Sequence, residues 1–241
     1  MSNTHASIIR SKMYSTDECN QLLLNLSICD ELTIPYIKAF ASVKVDMNIL
    51  DEDGESAIHY AVRNKRLQLL RTLHNYSGDI HNLNAKGLKP IHYAGMISDP
   101  RYVDYFIDQG VDINDQGNST KTPLMFASFG GSADIVEHII TLGADMSVQD
   151  KDESSWSCLH IAIAGDNSHA VKTLLQMDAD PNMTSDDNIS PLHFATIHEQ
   201  LESIKLLLEF GADKYAYTIV GETAWDLATS AIKKQLPHLK A

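Results

Sequence analysis

Eleven histidines stand in this chain of 241 residues. Imidazole is a common metal ligand and the side chain that titrates nearest neutral pH, so these residues raise zinc binding and acid–base catalysis first. Four of them, His59, His92, His160 and His193, hold the same place in a recurring phrase. It reads Ser-Ala-Ile-His-Tyr at 56–60, Lys-Pro-Ile-His-Tyr at 89–93, Ser-Cys-Leu-His-Ile at 157–161 and Ser-Pro-Leu-His-Phe at 190–194. A metal needs ligands that converge on a point. Histidines set one to a repeat are strung out along a stack instead. Cys19, Cys29 and Cys158 are odd in number and lack metal spacing. Cys158, beside the apolar Leu159, reads as a small packing residue. There is no His-Glu-x-x-His pair, no Gly-rich phosphate loop and no Gly-x-Ser-x-Gly elbow. No catalytic residue, metal or cofactor is expected.

The phrase also appears as Thr-Pro-Leu-Met-Phe at 122–126 and, worn, as Thr-Ala-Trp-Asp-Leu at 223–227. Counted from 56, the starts differ by 33, 33, 35, 33 and 33 residues. Ala61, Ala94, Ala127, Ala162, Ala195 and Ala228 each lie five places after a start. A second signature closes the repeats: Gly110-Val111-Asp112-Ile113-Asn114, Gly143-Ala144-Asp145, Asp178-Ala179-Asp180-Pro181-Asn182 and Gly211-Ala212-Asp213. Self-similarity at this period implies a stacked solenoid, one elongated domain rather than two globules.

These residues resemble the ankyrin repeat over roughly 30–235. The resemblance implies an all-α, ankyrin-repeat solenoid of helix-turn-helix units joined by β-hairpin loops, with about six to seven repeats including caps. It also implies that the phrase histidines bond backbone between repeats, a bond that Met125 removes from the third. The expected organisation is a disordered lead over 1–14, then an N-terminal cap and divergent repeat over 15–50. Repeats follow over 51–220, and a degenerate C-terminal cap over 221–241.

Local chemistry agrees. Pro90, Pro123 and Pro191 suit a first helical turn, and Thr122, Ser157, Ser190 and Thr223 suit the capping position before it. Apolar residues at helical spacing mark the second helices: Leu69, Leu70 and Leu73; Val103, Phe106 and Ile107; Ile135, Val136, Ile139 and Ile140; Val171, Leu174 and Leu175; Ile204, Leu207 and Leu208. Gly110, Gly143 and Gly211 fall where a left-handed residue ends a helix. Ser15-Thr16-Asp17-Glu18 reads as a capping box. Thr120 and Asn188 replace a hairpin glycine, and threonine tolerates a left-handed backbone poorly.

The net charge of −13 disfavours nucleic acid and anionic membrane surfaces. No apolar run approaches the ~20 residues of a membrane span. The start, Met1-Ser2-Asn3-Thr4-His5, does not read as a secretory signal, and the cysteine usage suits a reducing cytoplasm or nucleus. Binding specificity then rests on surface positions. In the resembled fold the fifth, eighth and ninth phrase positions face a groove. They give the candidates Tyr60, Arg63, Tyr93, Met96, Ile97, Phe126, Phe129, Ile161, Phe194 and Ile197. The hairpin fingers add Asp53, Glu55, Lys86, Lys121, Trp156 and Asp187, with Trp156 placed at the tip of a finger lengthened by two residues, either tucked over the adjacent helices or contacting a partner. The expected partner of a monomeric chain is another protein, offering an apolar helix or extended peptide with basic residues. An adaptor, inhibitor or scaffold fits this pattern, as does a bacterial effector in host cytosol. A regulatory part of a larger ankyrin-containing enzyme is the alternative. A further reading makes Asn114 and Asn182 targets of an asparaginyl hydroxylase, which the resemblance suggests.

Overall fold

The computed structural model describes residues 15–28, 34–151 and 154–239. The expected lead over 1–14, Cys29 and the acidic pair Asp152 and Glu153 lie outside these. The helices among the described residues are α1 (Thr16–Ile28), α2 (Ile34–Ser42), α3 (Ala57–Arg63), α4 (Leu67–Asn75), α5 (Pro90–Gly95), α6 (Arg101–Asp108) and α7 (Pro123–Gly130). They continue as α8 (Ala133–Thr141), α9 (Cys158–Ala164), α10 (Ser168–Gln176), α11 (Pro191–Ile197), α12 (Leu201–Glu209), α13 (Ala224–Leu227) and α14 (Ser230–Gln235), before a 3-10 turn, Pro237–Leu239. No strand occurs among the described residues; the hairpins are single-turn fingers.

The chain divides into two compact units. The first comprises residues up to Ala94, Arg101–Val111 and Gly117–Ser119. In it α1 packs on α3, α2 on α4, and α3 on α4. Ser15 and Glu18 form the capping box that starts α1: Ser15 N–H donates to Glu18 Oε2 at 2.7 Å and Glu18 N–H to Ser15 Oγ at 3.2 Å. Leu70, Leu73, Val103 and Phe106 are fully buried.

The second unit comprises Gly95–Pro100, Asp112–Gln116 and the residues from Thr120 on. Its first helices stack in a row, α7 on α9, α9 on α11 and α11 on α13; the second helices α8, α10 and α12 form a parallel row. Val136, Ile139, Val171, Leu174, Ile204 and Leu207 are fully buried between them. Each such side chain contributes roughly 1.5–3 kcal/mol by burial. Polar side chains tie neighbouring repeats at the start of the second helices. Asn167 Nδ2 donates to the Gly131 carbonyl at 2.9 Å, and Gln200 Nε2 to that of Ile163 at 2.6 Å.

Three of the phrase histidines, His59, His160 and His193, carry a second set of ties. His160 Nδ1 accepts the Ser157 N–H at 3.3 Å, so the proton sits on Nε2, which donates to the Ile189 carbonyl at 2.9 Å. His59 does the same between Ser56 and Leu88, and His193 between Ser190 and Ala216. Asp226 fills this slot in the last repeat. Having only acceptors, it keeps the inward half, taking the Thr223 N–H at 2.9 Å. Met125 fills it in the third repeat and is buried without a polar tie.

Two predictions follow from these positions. Burial lowers the His160 pKa to about 4 and lowers those of His59 and His193. The unfolded chain takes up these protons near pH 6.5, and the folded chain does so only further down. The stabilisation is therefore complete above pH 6.5 and lost as pH falls towards 4. Each histidine contributes up to about 1.4 kcal/mol per pH unit across its window. Urea midpoints measured from pH 7.5 to 4.5 should fall accordingly, and His160→Gln should flatten the slope. The second concerns Thr120, whose φ of 62° lies in the left-handed region and whose hydroxyl is buried without a hydrogen-bond partner among the described residues. A side chain there costs roughly 1–2 kcal/mol. Thr120→Gly should raise the unfolding free energy by about 1 kcal/mol after the added chain entropy is subtracted. An unchanged or lower urea midpoint would show that the turn carries no strain.

Candidate functional site

The eighth phrase position is the one left to solvent. Met96, Phe129 and Ile197 are 41%, 48% and 47% exposed, and the Arg63 side chain is 46% exposed. These residues lie at the end of a short first helix or directly follow it. The fifth position is mixed: Tyr60, Tyr93 and Phe126 are half-buried, Ile161 and Phe194 buried. Ile97, at the ninth, is also buried. Ile97 and Phe194, expected on a groove, are buried, and the Phe194 ring lies against those of Trp156, His160 and His198.

The second unit holds a cleft of about 1030 Å³. Met96, Met125, Phe126, Phe129, Trp156, Ile161 and Ala164 supply apolar walls. Lys121 and the buried Asp150 stand at the same cleft and pair at 3.5 Å. Trp156 does not sit at a finger tip. Its N–H donates to Asp150 Oδ1 at 3.1 Å and its carbonyl accepts the Asp150 N–H at 3.0 Å, which fixes it at the finger's base. Its indole meets the Phe194 ring edge-on, with centroids 4.9 Å apart. The small Gly165 follows Ala164 because a Cβ there would lie 2.0 Å from the Phe129 carbonyl.

In the first unit the candidates form a polar network. Glu55, expected on an acidic finger, is buried, because the chain leaves the finger at this point and enters α3. Its Oε1 accepts from Tyr93 OH at 2.6 Å and Asn84 Nδ2 at 2.9 Å, and lies 3.7 Å from Arg63 Nη1. Its Oε2 has no hydrogen-bond partner among the described residues. Tyr60 OH donates to Asp51 Oδ2 at 2.6 Å. The Arg63 guanidinium lies 5.6 and 5.5 Å from the Tyr60 and Tyr93 ring centres. Burial, then the carboxylate hydrogen bonds, push both tyrosine pKa values above the ordinary phenol range. Gln21, Leu24, Leu50, Asp51, Glu52, Asp53 and Tyr60 line a second cleft, of about 630 Å³.

Among the finger candidates, Asp53, Lys86 and Asp187 are exposed. The turns behind them were missed in the sequence. Asp51 Oδ1 accepts the Asp53 and Glu55 N–H groups, and Asn84 Oδ1 those of Lys86 and Leu88. Asp51 and Asn84 stand 33 places apart, so the period itself was the signal. Asn114 and Asn182 bridge repeats: the Asp145 N–H donates to Asn114 Oδ1 at 2.8 Å and the Asp213 N–H to Asn182 Oδ1 at 2.7 Å. Asn48 does the same for Asp79, at 2.6 Å.

Among the described residues no three His, Cys, Asp or Glu side chains gather to hold a metal ion, and no helix is long and apolar enough to cross a membrane. Cys158 is fully buried, and burial pushes its thiol up to about 12, which keeps it protonated and unreactive.

Stacked helix pairs with fingers at the turns define a repeat solenoid. A family model described as "Ankyrin repeats (3 copies)" matches residues 17–117, 66–150 and 124–218, and the chain belongs to the ankyrin repeat family. It is 37% identical over 122 residues to "Putative ankyrin repeat protein FPV031" of Fowlpox virus (strain NVSL), covering 46% of this chain and 34% of that protein. It is 27% identical over 176 residues to "Palmitoyltransferase AKR1" of Lachancea kluyveri, covering 57% and 24%. It is 31% identical over 118 residues to human "BCL-6 corepressor-like protein 1", covering 49% and 7%. The chain thus spans between 7% and 34% of these relatives. Among solved structures, the human ASB11 ankyrin repeat domain superposes with a TM-score of 0.78 at 18% identity, over 91% of this chain and 97% of that one. The ankyrin repeat domain of Bcl-3 gives 0.72 at 20%, over 90% and 97%.

The Glu55 network yields a stability prediction. Tyr93→Phe removes the shortest hydrogen bond to a buried carboxylate and should cost about 1–3 kcal/mol. Tyr60→Phe should cost less, because Asp51 is only partly buried. Thermal and urea midpoints of the two variants check the order; the reverse order would show that Glu55 does not depend on Tyr93.

Proposed function

We propose that this chain is a non-catalytic protein-interaction module, an adaptor, inhibitor or scaffold, that binds an apolar segment of a partner in the cleft of its second unit. The observation that carries this is the cleft's composition. Phe129 and Met96 stand open to solvent beside Trp156 and Phe126, and Lys121 and Asp150 provide polar groups at the same cleft. Aromatic residues and methionine are enriched where interfaces are most deeply buried. A cleft of this volume takes the side chains of one helical or extended segment. The exposed finger residues Asp186 and Asp187 of the same unit favour basic residues flanking that segment. The two described cysteines are buried and form no disulfide, which suits a reducing compartment such as the cytoplasm.

A second reading rests on the relatives. The similarity to a palmitoyltransferase covers 24% of that protein, so this chain also fits the interaction portion of a larger ankyrin-containing enzyme. In that reading the cleft still binds protein, and chemistry lies elsewhere.

Met96→Glu with Phe129→Glu is the probe of choice. Tyr93→Glu would set a second carboxylate against Glu55 and confuse binding with folding. Helix content and thermal midpoint of the double variant should match wild type, since both residues are exposed. Quantitative affinity capture from cell extract should then show a partner retained by wild type and weakened at least about tenfold by the variant. Equal retention of every captured protein by the two forms would overturn the assignment of the cleft.

A further inference from the structure

The cleft of the second unit holds a buried carboxylate that has two counterparts elsewhere in the chain. Asp51, Asn84 and Asp150 are spaced by multiples of 33 and fill one slot. Each closes its finger: the Asp51 N–H donates to the Glu55 carbonyl at 3.1 Å, that of Asn84 to Leu88 at 3.0 Å and that of Asp150 to Trp156 at 3.0 Å. Each also takes the returning N–H on its side-chain Oδ1, from Glu55, Leu88 and Trp156 in turn. The other side-chain atom sets them apart. Asp51 Oδ2 accepts from Tyr60 OH at 2.6 Å, and Asn84 Nδ2 donates to Tyr93 OH at 2.9 Å. Tyr60 and Tyr93 are the fifth residues of their phrases. In the phrase that follows Asp150 the fifth residue is Ile161, which has no hydroxyl. Asp150 Oδ2 is left with Lys121 Nζ, at 3.5 Å, as its partner among the described residues. A close charge-assisted bond is about 2.7–2.9 Å long.

The first unit shows what a buried carboxylate holds in this scaffold. Glu55 lies 3.7 Å from Arg63 Nη1, and the guanidinium rests 5.6 and 5.5 Å from the Tyr60 and Tyr93 ring centres. Carboxylate, aromatic rings and arginine complete one another there. The second-unit cleft repeats the first two parts. Asp150 is 4% exposed, and Phe126, Phe129 and Trp156 line the same cleft. The third part differs, because the eighth phrase position that supplies Arg63 holds Phe129 and Ala164 here. Lys121 is no equal substitute. An ammonium is a compact, strongly hydrated charge, whereas a planar guanidinium stacks on aromatic faces and meets a carboxylate with two N–H donors.

We infer that this cleft takes an arginine side chain of a partner protein, with Asp150 as the carboxylate that selects it; this rests on the cleft being the binding surface proposed above. The arginine stem runs along the apolar wall at Met96 and Met125, its plane lies against the aromatic rings, and its N–H groups donate to Asp150 Oδ2. Lys121, whose side chain is 31% exposed, withdraws towards solvent. The surrounding charge favours the same sign. The carbonyl of Ser154, a residue at the cleft, accepts the Asp186 N–H at 3.3 Å, which sets the finger carrying the exposed Asp186 and Asp187 next to it. An acidic side chain seeking Lys121 would instead stand beside Asp150, in a chain of net charge −13. A wholly apolar segment would cover the Lys121–Asp150 pair and desolvate both charges without giving either a new partner.

The test pans a random twelve-residue phage-displayed peptide library on the immobilised full chain, and titrates synthetic copies of the selected peptides by fluorescence anisotropy. The expected result is a set sharing one arginine among apolar residues, whose binding is lost on the Met96→Glu, Phe129→Glu variant. Asp150→Asn should weaken these peptides at least about tenfold. Asn84 holds the same slot in the second repeat, so asparagine preserves the finger, and an unchanged thermal midpoint checks this. Lys121→Gln should tighten binding, because it removes the competing cation. Citrulline in place of the arginine keeps the shape without the charge. It should cost at least about tenfold on wild type and little on Asp150→Asn. Should Asp150→Asn unfold, the citrulline loss on wild type and the gain on Lys121→Gln carry the test. Cleft-bound peptides that lack arginine, or that bind Asp150→Asn as they bind wild type, would overturn the inference and leave the cleft assignment standing. Acidic peptides lost on Lys121→Gln would overturn it by giving the pair the opposite preference. Peptides indifferent to the Met96→Glu, Phe129→Glu variant, or a library that yields no binder, would overturn both.

Discussion

A helix pair about 33 residues long cannot bury its own apolar stripe, and every other feature of this chain answers that constraint. Leu174 and Leu207 reach full burial only because α10 lies between α8 and α12. The polar ties obey the same rule. His160 gives its second nitrogen to a carbonyl in the following repeat, and Asn167 gives its amide to carbonyls of the preceding one. A repeat taken alone would leave both carbonyls and both side chains without protein partners. Stability is therefore a property of neighbours, close to a sum over repeats and their contacts.

That constraint explains what was legible in the sequence. Residues that must meet the next repeat recur at the period, so a single chain carries its own alignment. The first-turn prolines, the capping Ser and Thr residues, the left-handed glycines and the phrase histidines were all readable for that reason. Thr120 was readable as an exception, and its φ of 62° is the conformation that a hairpin glycine would take. Glu55 was not readable. It falls among Asp51, Glu52 and Asp53, and its burial depends on Asn84 and Tyr93, which lie 29 and 38 residues away. Charge density in a sequence window says nothing about which carboxylate turns inward. Trp156 was misplaced for a similar reason, since a longer loop does not say which of its residues returns to the base.

The Glu55 network also shows how the first unit handles a buried charge. A carboxylate removed from water is tolerated when it is hydrogen-bonded and paired. Here one oxygen gathers the tyrosine, the amide and the guanidinium, and the other has no hydrogen-bond partner among the described residues. Arg63 is held in turn between two tyrosine rings whose own hydroxyls are fixed by Glu55 and Asp51. The aromatic residues at the fifth phrase position therefore act differently in the two units. Tyr60 and Tyr93 anchor charge, whereas Phe126 and Phe194 border or support an apolar cleft.

Recognition can vary only where stacking makes no demand. The fourth phrase position is buried from His59 to His193, so it is not free to follow a partner, and the fifth is buried or half-buried. The eighth position meets solvent in every repeat from the one at 56 to the one at 190, and it holds Arg63, Met96, Phe129, Ala164 and Ile197. That variety, set against the uniformity of the histidine slot, separates the part of the repeat that holds the fold from the part that presents a surface. The finger tips divide in the same way. Backbone bonds join the first finger to the second, the second to the third, the fourth to the fifth and the fifth to the sixth, while their side chains run from Glu52-Asp53 to Ile219-Val220. One scaffold thereby offers an apolar cleft, acidic tips and an apolar tip without altering the contacts on which its stability rests.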